Sequence, residues 1–384
     1  MKVCAVTTLP PHRDGVALYS AELYPQISKL ANVQIVANIS KQQKLAKSCK
    51  EKNAPVLSCW KRGLLYPFQV FRSTLKTRCH IIHLQHGWLL YGGTVSSLLF
   101  PVLLATFRLS NKPTVVTMHT IIRKDAHLYN NFFVNLLAKM AVLFTSRCIL
   151  HFSHKVIVHN RLMKKILQTD YGAKAQKIVM IPHGVKQAPK KPESPQKSKE
   201  TCILSLGFLR KGKGIDYLLE AFKKFAEKCP NTKLVIVGAI HAHDKNCSTT
   251  ELYSLPASIQ RQVLFTGFVD EQTLSRLIWK SDVIVLQSTE PYYVEASGTL
   301  AAVADYGKAL VCSKVPKFQS ELQHGQHCIF VNPSNSMELS QALVLLTNDN
   351  ELRAHLGTNL KEKFENRNWN TVAKEHVTLY RHLI

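Results

Sequence analysis

Carboxylates are scarce in the first half of this chain. Residues 1–200 carry 7 Asp and Glu against 30 Lys and Arg, a net +23, whereas residues 201–384 carry 18 against 20, a net +2. A half so poor in negative charge sets up a field that concentrates polyanions: anionic lipid headgroups, nucleic acid or phosphorylated acceptors. A solvated basic surface with no specific partner accounts for the charge equally well. Other absences narrow the class. The 10 cysteines are scattered from Cys4 to Cys328 without a Cys-x-x-Cys pair, so neither a zinc site nor a disulfide framework is indicated and buried free thiols are expected. Met1–Pro10 lacks the long apolar core and small-residue cleavage site of a signal peptide, and a cytoplasmic protein is expected. No Gly-x-Ser-x-Gly elbow points to a hydrolase. The basic half has no recognisable nucleic-acid motif.

At 384 residues the chain exceeds what one hydrophobic core usually serves, so two domains are expected. Strand-like apolar runs alternate with amphipathic segments, the pattern of parallel sheets covered by helices. Val3–Thr8, Val33–Ile39, Ile81–Leu84, Thr114–His119, Lys155–His159 and Ile178–Pro182 read as strands of a first sheet. Gln187–Glu200, rich in Pro, Lys and Ser, reads as an interdomain linker. A second series follows: strands at Cys202–Gly207, Lys233–Gly238, Val263–Thr266, Val283–Gln287 and Ala309–Ser313, with helices at Ile215–Cys229, Asp270–Lys280 and Ser297–Tyr306.

Two long apolar stretches stand out. Trp88–Phe107 has the length to span a bilayer but contains Gly92, Gly93 and Pro101 and lies between strands of one sheet, so it reads as a buried or interfacial helix. Asn131–Phe152 is apolar on most faces, interrupted by Lys139 and Arg147. In an α/β domain such a helix is ordinarily core. The alternative is that, with the basic-aromatic segment Trp60–Arg72, it lets the first domain lie on an anionic membrane.

Open parallel sheets bind ligands beyond the carboxyl ends of their strands, so the loops there carry the chemistry. Leu204–Phe222 runs from a strand into Gly207, then a basic turn with Arg210, Lys211 and Lys213, then Gly214 and an amphipathic helix. Two cations in such a turn can reach both phosphates of a diphosphate, and the helix start adds backbone donors. Gly207, Gly212 and Lys213 fit Gly-x-x-x-x-Gly-Lys, but Gly214 stands where a P-loop needs the Ser/Thr that holds magnesium, which disfavours a mononucleotide hydrolase. His241-x-His243-Asp244 and His80/His83/His86 have spacings open to metal, and in a His-rich chain these are read as incidental.

Taken in order, these motifs resemble glycosyltransferase family 4 over nearly the whole chain. They are the Arg210 to Lys213-Gly214 loop with Leu218–Phe222, then Leu234–Gly238, Phe265–Val269, Ala296–Leu300 and Gly307–Val311. The first half is similar through Gly15 after strand one, Thr117-Met118-His119, and Ile181–Val185 at the domain boundary. The resemblance implies a GT-B architecture, two Rossmann-like parallel-sheet domains facing across a cleft. Its expected divisions are 1–186, a linker at 187–200, a donor-binding domain at 201–365, and a C-terminal helix at 366–384 that crosses back to the first domain.

The implied chemistry is retaining transfer of a sugar from a nucleotide-diphosphate donor to an acceptor hydroxyl, saccharide or lipid-linked. No cofactor or metal is expected, since no Asp-x-Asp pair is present. By the resemblance, Arg210 and Lys213 contact the diphosphate, and Ser297, Gly298 and Thr299 open a helix facing the same phosphates. Gly15 admits the donor, His119 lies beside the transferred sugar, and Gly267, Phe268 and Val269 line the base site. The chain departs from the family's Glu-x7-Glu pair: the corresponding slots hold Val294 and Ala302. Glu290 or Glu295 is expected to serve the sugar or its leaving group instead. Alternative readings are a GT-B protein that binds sugar without turnover, an epimerase or phosphorylase of the same fold, or a nucleic-acid binder supported by charge alone; no nucleic-acid partner is expected.

Overall fold

Aliphatic and β-branched runs alternating with amphipathic helices build two parallel sheets, each in its own unit. The computed structural model describes the chain except residues 13, 40–53, 193–199, 211, 239–254 and 291. The first unit comprises Met1–Gly184, Tyr292–Ala296 and Trp369–Ile384; the second comprises Val185–Pro291 and Ser297–Asn368.

In the first unit the elements run β1 (Lys2–Thr7), α1 (Gly15–Ile27), β2 (Asn32–Asn38), β3 (Val56–Trp60), α2 (Tyr66–Lys76), β4 (Ile81–His86), α3 (Thr94–Leu98), α4 (Phe100–Leu109), β5 (Thr114–Met118), β6 (Thr120–Ile122), α5 (Phe132–Phe152), β7 (Lys155–Val158), α6 (Arg161–Thr169) and β8 (Ile178–Met180). The main sheet has the order β3-β2-β1-β4-β5-β7-β8, parallel at every pairing. Strand order reverses between β1 and β4, the switch point at which such sheets open a crevice. Val3 to Val6 are all buried, as a strand covered on both faces requires.

The second unit runs β9 (Thr201–Leu206), α7 (Ile215–Ala226), β10 (Thr232–Val237), β11 (Val263–Gly267), β12 (Val283–Leu286), β14 (Ala309–Ser313) and β15 (Ile329–Val331), in the order β11-β10-β9-β12-β14-β15 and parallel throughout. Its switch point lies between β9 and β12.

Several elements differ from the sequence reading. Trp88–Phe107 is not one helix: Gly92, at φ +145, and Gly93 precede α3, and α4 starts afresh with Pro101 in its first turn. The stretch 131–152 is one helix of 21 residues, but much of it is not core: Phe132, Phe133, Leu137, Met140 and Phe144 are exposed. The segment Tyr293–Glu295 forms β13, which pairs antiparallel with β6 and belongs to the first unit. The unit boundary falls at Gly184/Val185, ahead of the expected linker, and Ala188 N–H donates to Asp305 Oδ2 at 2.7 Å within the second unit. Residues 193–199 of that linker, Lys211 and His241/His243/Asp244 lie outside the described residues. The helix expected at 297–306 is α-helical over Gly298–Val303 and continues as a 3₁₀ turn, Ala304–Tyr306.

The C-terminal helix Trp369–Arg381 packs on α1 and completes the first unit's core, with Trp369, Val372, Ala373, Val377 and Tyr380 buried among Tyr19, Leu23 and Tyr24. Trp369 lies flat against the backbone of Gly184, where an added Cβ would sit 2.3 Å from Trp369 Cδ2. Gly184→Ala is therefore expected to cost about 1–3 kcal/mol by overpacking. A fall in the urea midpoint at unchanged slope checks this; no change would mean the indole can retreat freely.

Candidate active site

At the second unit's switch point, adjacent strands β9 and β12 bring their C-terminal loops side by side. The loop after β9 holds Arg210 and Lys213, and the loop after β12 holds Glu290. Arg210 makes a two-pronged ion pair with Glu290: Nη1 donates to Oε1 at 2.5 Å and Nη2 to Oε2 at 2.7 Å. This fork geometry fixes the guanidinium plane. The backbone reinforces it, because Thr289 N–H donates to Gly212 O at 2.9 Å. Gly212, at φ +84, has room for no side chain: a Cβ there would lie 2.7 Å from Glu290 Cγ.

Lys213 folds back over the end of β9. A Cβ on Gly207 (φ +131) would sit 2.8 Å from Lys213 Nζ and 3.1 Å from Thr299 Cγ2, so the ammonium, the bare Gly207 backbone and Thr299 meet at one place. Ser297 caps the helix that follows, its Oγ accepting from Leu300 N–H at 3.2 Å and lying 3.0 Å from Thr299 Oγ1. Gly298, at the start of that helix, has open space where a Cβ would stand. Five of the expected donor residues, Arg210, Lys213, Ser297, Gly298 and Thr299, are thus gathered around the end of β9. Farther along the sheet, Gly267 takes φ +68 with its carbonyl accepting from Gly238 N–H at 3.0 Å; Phe268 is exposed and Val269 packs against the unit's core.

The first unit's switch point carries a different chemistry. Gly15 opens α1 directly after Asp14, whose carboxylate caps the helix by accepting from Ala17 N–H at 2.7 Å; a Cβ at Gly15 would meet nothing within 4 Å. His119 follows β5. Its Nε2 donates to Gln85 Oε1 at 2.7 Å, while Nδ1 faces His159 Nε2 at 3.4 Å. Gln85 in turn donates to the Tyr24 hydroxyl at 2.6 Å, and the Tyr380 hydroxyl is hydrogen-bonded to His83 Nδ1 at 2.6 Å. Tyr19 sits edge-on to His119 with ring centroids 4.8 Å apart. Burial first, and neighbouring imidazoles second, hold His119 and His83 well below the usual histidine range; burial lowers His86 and His159 to about 3 and His376 to about 4. The imidazoles are therefore neutral near pH 7, and His119 presents hydrogen-bonding capacity without charge.

Glu290 and Glu295, taken as alternatives for one slot, fall in different units. Glu290 partners Arg210 in the second; Glu295, in β13, accepts from Thr120 Oγ1 at 3.3 Å, one residue along from His119 in the first. The network through Gln85, Tyr24 and Tyr380 was not identified from the motifs. Its signal was present: a parallel strand buried on both faces should be nearly all apolar, yet β4 carries His83, Gln85 and His86. His83 is hydrogen-bonded within this network and His86 is packed against Trp88 and Phe100, and among the described residues no group of three His, Cys, Asp or Glu is placed to hold a metal.

The depressed histidines make stability pH-dependent. A group whose folded pKa lies below its unfolded value near 6.5 takes up more protons when unfolded, so stability is complete above about pH 6.5 and falls as pH drops toward the folded values of 3 to 4. From pH 7 to 5 each such histidine is expected to cost about 2 kcal/mol. Urea unfolding at the two pH values tests this, and a pH-independent midpoint over that range would contradict it.

Two family models match the chain: "Glycosyltransferase Family 4" over residues 13–188 and "Glycosyl transferases group 1" over residues 186–363. An uncharacterized glycosyltransferase of Methanocaldococcus jannaschii is 32% identical over 184 residues, 47% of this chain and 45% of that protein. Mannosylfructose-phosphate synthase of Agrobacterium fabrum is 27% identical over 200 residues, 48% of this chain and 43% of that protein. The alignments thus span less than half the length of either curated relative. Among solved structures, Anabaena Alr3699/HepE in complex with UDP-glucose superposes with a TM-score of 0.75 at 16% identity, covering 100% of both chains, a likeness of fold.

Proposed function

Because the chain belongs to the GT-B glycosyltransferases of family 4, we propose that it transfers a sugar from a nucleoside-diphosphate donor to an acceptor hydroxyl with retention of configuration. The observation that carries the reading is the convergence of Arg210, Lys213 and Thr299 at the end of β9, with the guanidinium held in place by Glu290. Arg210 and Lys213 bind the diphosphate and offset the charge that accumulates on it as the anomeric carbon–oxygen bond breaks. They supply the compensation that a divalent cation supplies elsewhere, so turnover needs no metal. The acceptor oxygen bonds to the anomeric carbon on the face that the diphosphate leaves, and its proton passes to the departing phosphate oxygen.

His119 serves the sugar. Its Nε2 is committed to Gln85 at 2.7 Å, leaving Nδ1, with its longer contact, to turn toward a sugar hydroxyl. Phe268, exposed beside Gly267, offers an apolar face for a base. The solved structure of HepE with UDP-glucose makes UDP the first nucleotide to test. The basic first half fits an acceptor that is anionic or lipid-linked, and a protein that works peripherally at the cytoplasmic membrane face.

Calorimetric titration with UDP, GDP and ADP and their sugar conjugates tests the donor site. One nucleotide is expected to bind without metal and to lose about 100-fold or more in affinity in the Arg210→Ala, Lys213→Ala double variant. His119→Ala is expected to lower turnover about 100-fold while leaving nucleotide affinity near its original value. No binding of any nucleotide, or turnover abolished by EDTA, would refute the corresponding part of the reading.

A further inference from the structure

We propose that the outer face of the α2–α4–α5 layer is a docking surface for an anionic lipid bilayer, with α5 lying in the plane of the interface. The inference deepens the membrane-peripheral reading given above and is independent of which donor is used.

The apolarity of α5 is turned outward. Phe133, Leu137, Met140 and Phe144, spaced four, three and four residues apart, form one stripe, and they are 72%, 66%, 58% and 59% exposed. The buried side of the same helix is mixed: Val142, Ile149 and Leu150 join the core there, beside Asn135, Thr145 and Ser146, with Asn135 Oδ1 accepting from Leu128 and Tyr129 N–H. A helix made to sit in water would not leave the four stripe residues exposed while burying Asn135, Thr145 and Ser146. α4 packs against both α5 and α2, and α2 continues the exposed apolar surface with Leu65 at 71% and Phe68 at 65%. A patch of this kind on a water-soluble face marks an interaction site.

Charge selects the occupant. From Ala54 to Thr169 Asp125 is the only carboxylate side chain, and it is paired with Arg123. The three helices carry Arg72, Lys76, Arg108, Lys139 and Arg147 and no acidic residue, and Lys61 lies just ahead of α2. The α5 stripe runs directly into Arg147. Apolar residues that insert among acyl chains, fringed by cations that meet phosphate headgroups, are what binding at an anionic interface requires. A second copy of this chain fits less well, since a two-fold contact would set the same cations face to face. Spanning the bilayer is disfavoured because one side of α5 is packed inside the unit and Lys139 and Arg147 interrupt the helix.

Co-sedimentation with phosphatidylcholine vesicles containing about 30 mol% phosphatidylglycerol tests the surface, with pure phosphatidylcholine and about 0.5 M salt as comparisons. The native protein is expected to prefer the anionic vesicles by at least about tenfold and to lose that preference in high salt. Phe133→Glu with Leu137→Glu is expected to weaken binding at least about tenfold. The pair should leave nucleotide affinity and the far-ultraviolet dichroism unchanged. Arg72→Glu with Arg147→Glu, at exposed positions, should abolish the anionic preference. Absence of vesicle binding by the native protein would overturn the proposal, as would a concentration-dependent dimer that the Phe133/Leu137 pair dissolves. Vesicle binding without any nucleotide binding would sustain the surface while removing the transferase reading.

Discussion

Arg210 and Glu290 are 80 residues apart and meet through two charge-assisted hydrogen bonds because β9 and β12 are neighbours in a sheet whose order reverses between them. That single pairing gives the turn after β9 its shape. It leaves Gly212 without space for a side chain, draws Thr289 onto the Gly212 carbonyl, and holds the guanidinium plane in a fixed orientation. Lys213 is then carried back over Gly207 rather than out into solvent. A cluster of cations that would otherwise be a mobile basic turn becomes preorganised, and preorganised charge is what stabilises a departing diphosphate without reorganisation at the moment of reaction.

The first unit keeps its counterpart site polar and uncharged. Gln85 links His119 to Tyr24, and Tyr380 reaches His83 from the far end of the chain. Burying so many hydrogen-bonding groups is costly unless they satisfy one another; His83, His119 and His159 find partners as neutral rings, while His86 Nδ1 and His376 Nε2 are buried without one. The same desolvation that keeps His119 free of charge makes the unit sensitive to acid, so electrostatic neutrality and acid lability have one cause.

How far the sequence exposes all this depends on the range of the interaction. Apart from the edge strands β3 and β15, which the sequence reading does not include, the strands of both sheets are legible to within a residue or two from local apolar runs, and the Arg210–Lys213 turn from its glycines and cations. β13 is not, because three residues after a proline become a strand only by pairing with β6, more than 150 positions earlier, and no local pattern encodes that. The consequence is that Glu290 and Glu295, five positions apart, part company. α5 was misjudged as core for a related reason: apolar composition reports what a helix avoids, not which neighbour covers it. Its mixed buried face and apolar exposed face become visible only when α4 is in place.

The chain enters and leaves the first unit repeatedly, returning with Tyr292–Ala296 and finally with Trp369–Ile384. During synthesis this has a temporal meaning. Residues 1–184 lack β13 against β6, the Trp369 indole over Gly184, and the Tyr380 hydroxyl on His83 until residues 292–296 and 369–384 have been made. The second unit has all its own segments by Asn368. Of the two units the first is therefore completed later, although most of it is made earlier, and it waits with an open aromatic and histidine-lined core, the state in which a nascent chain is most exposed to aggregation or rescue by chaperones.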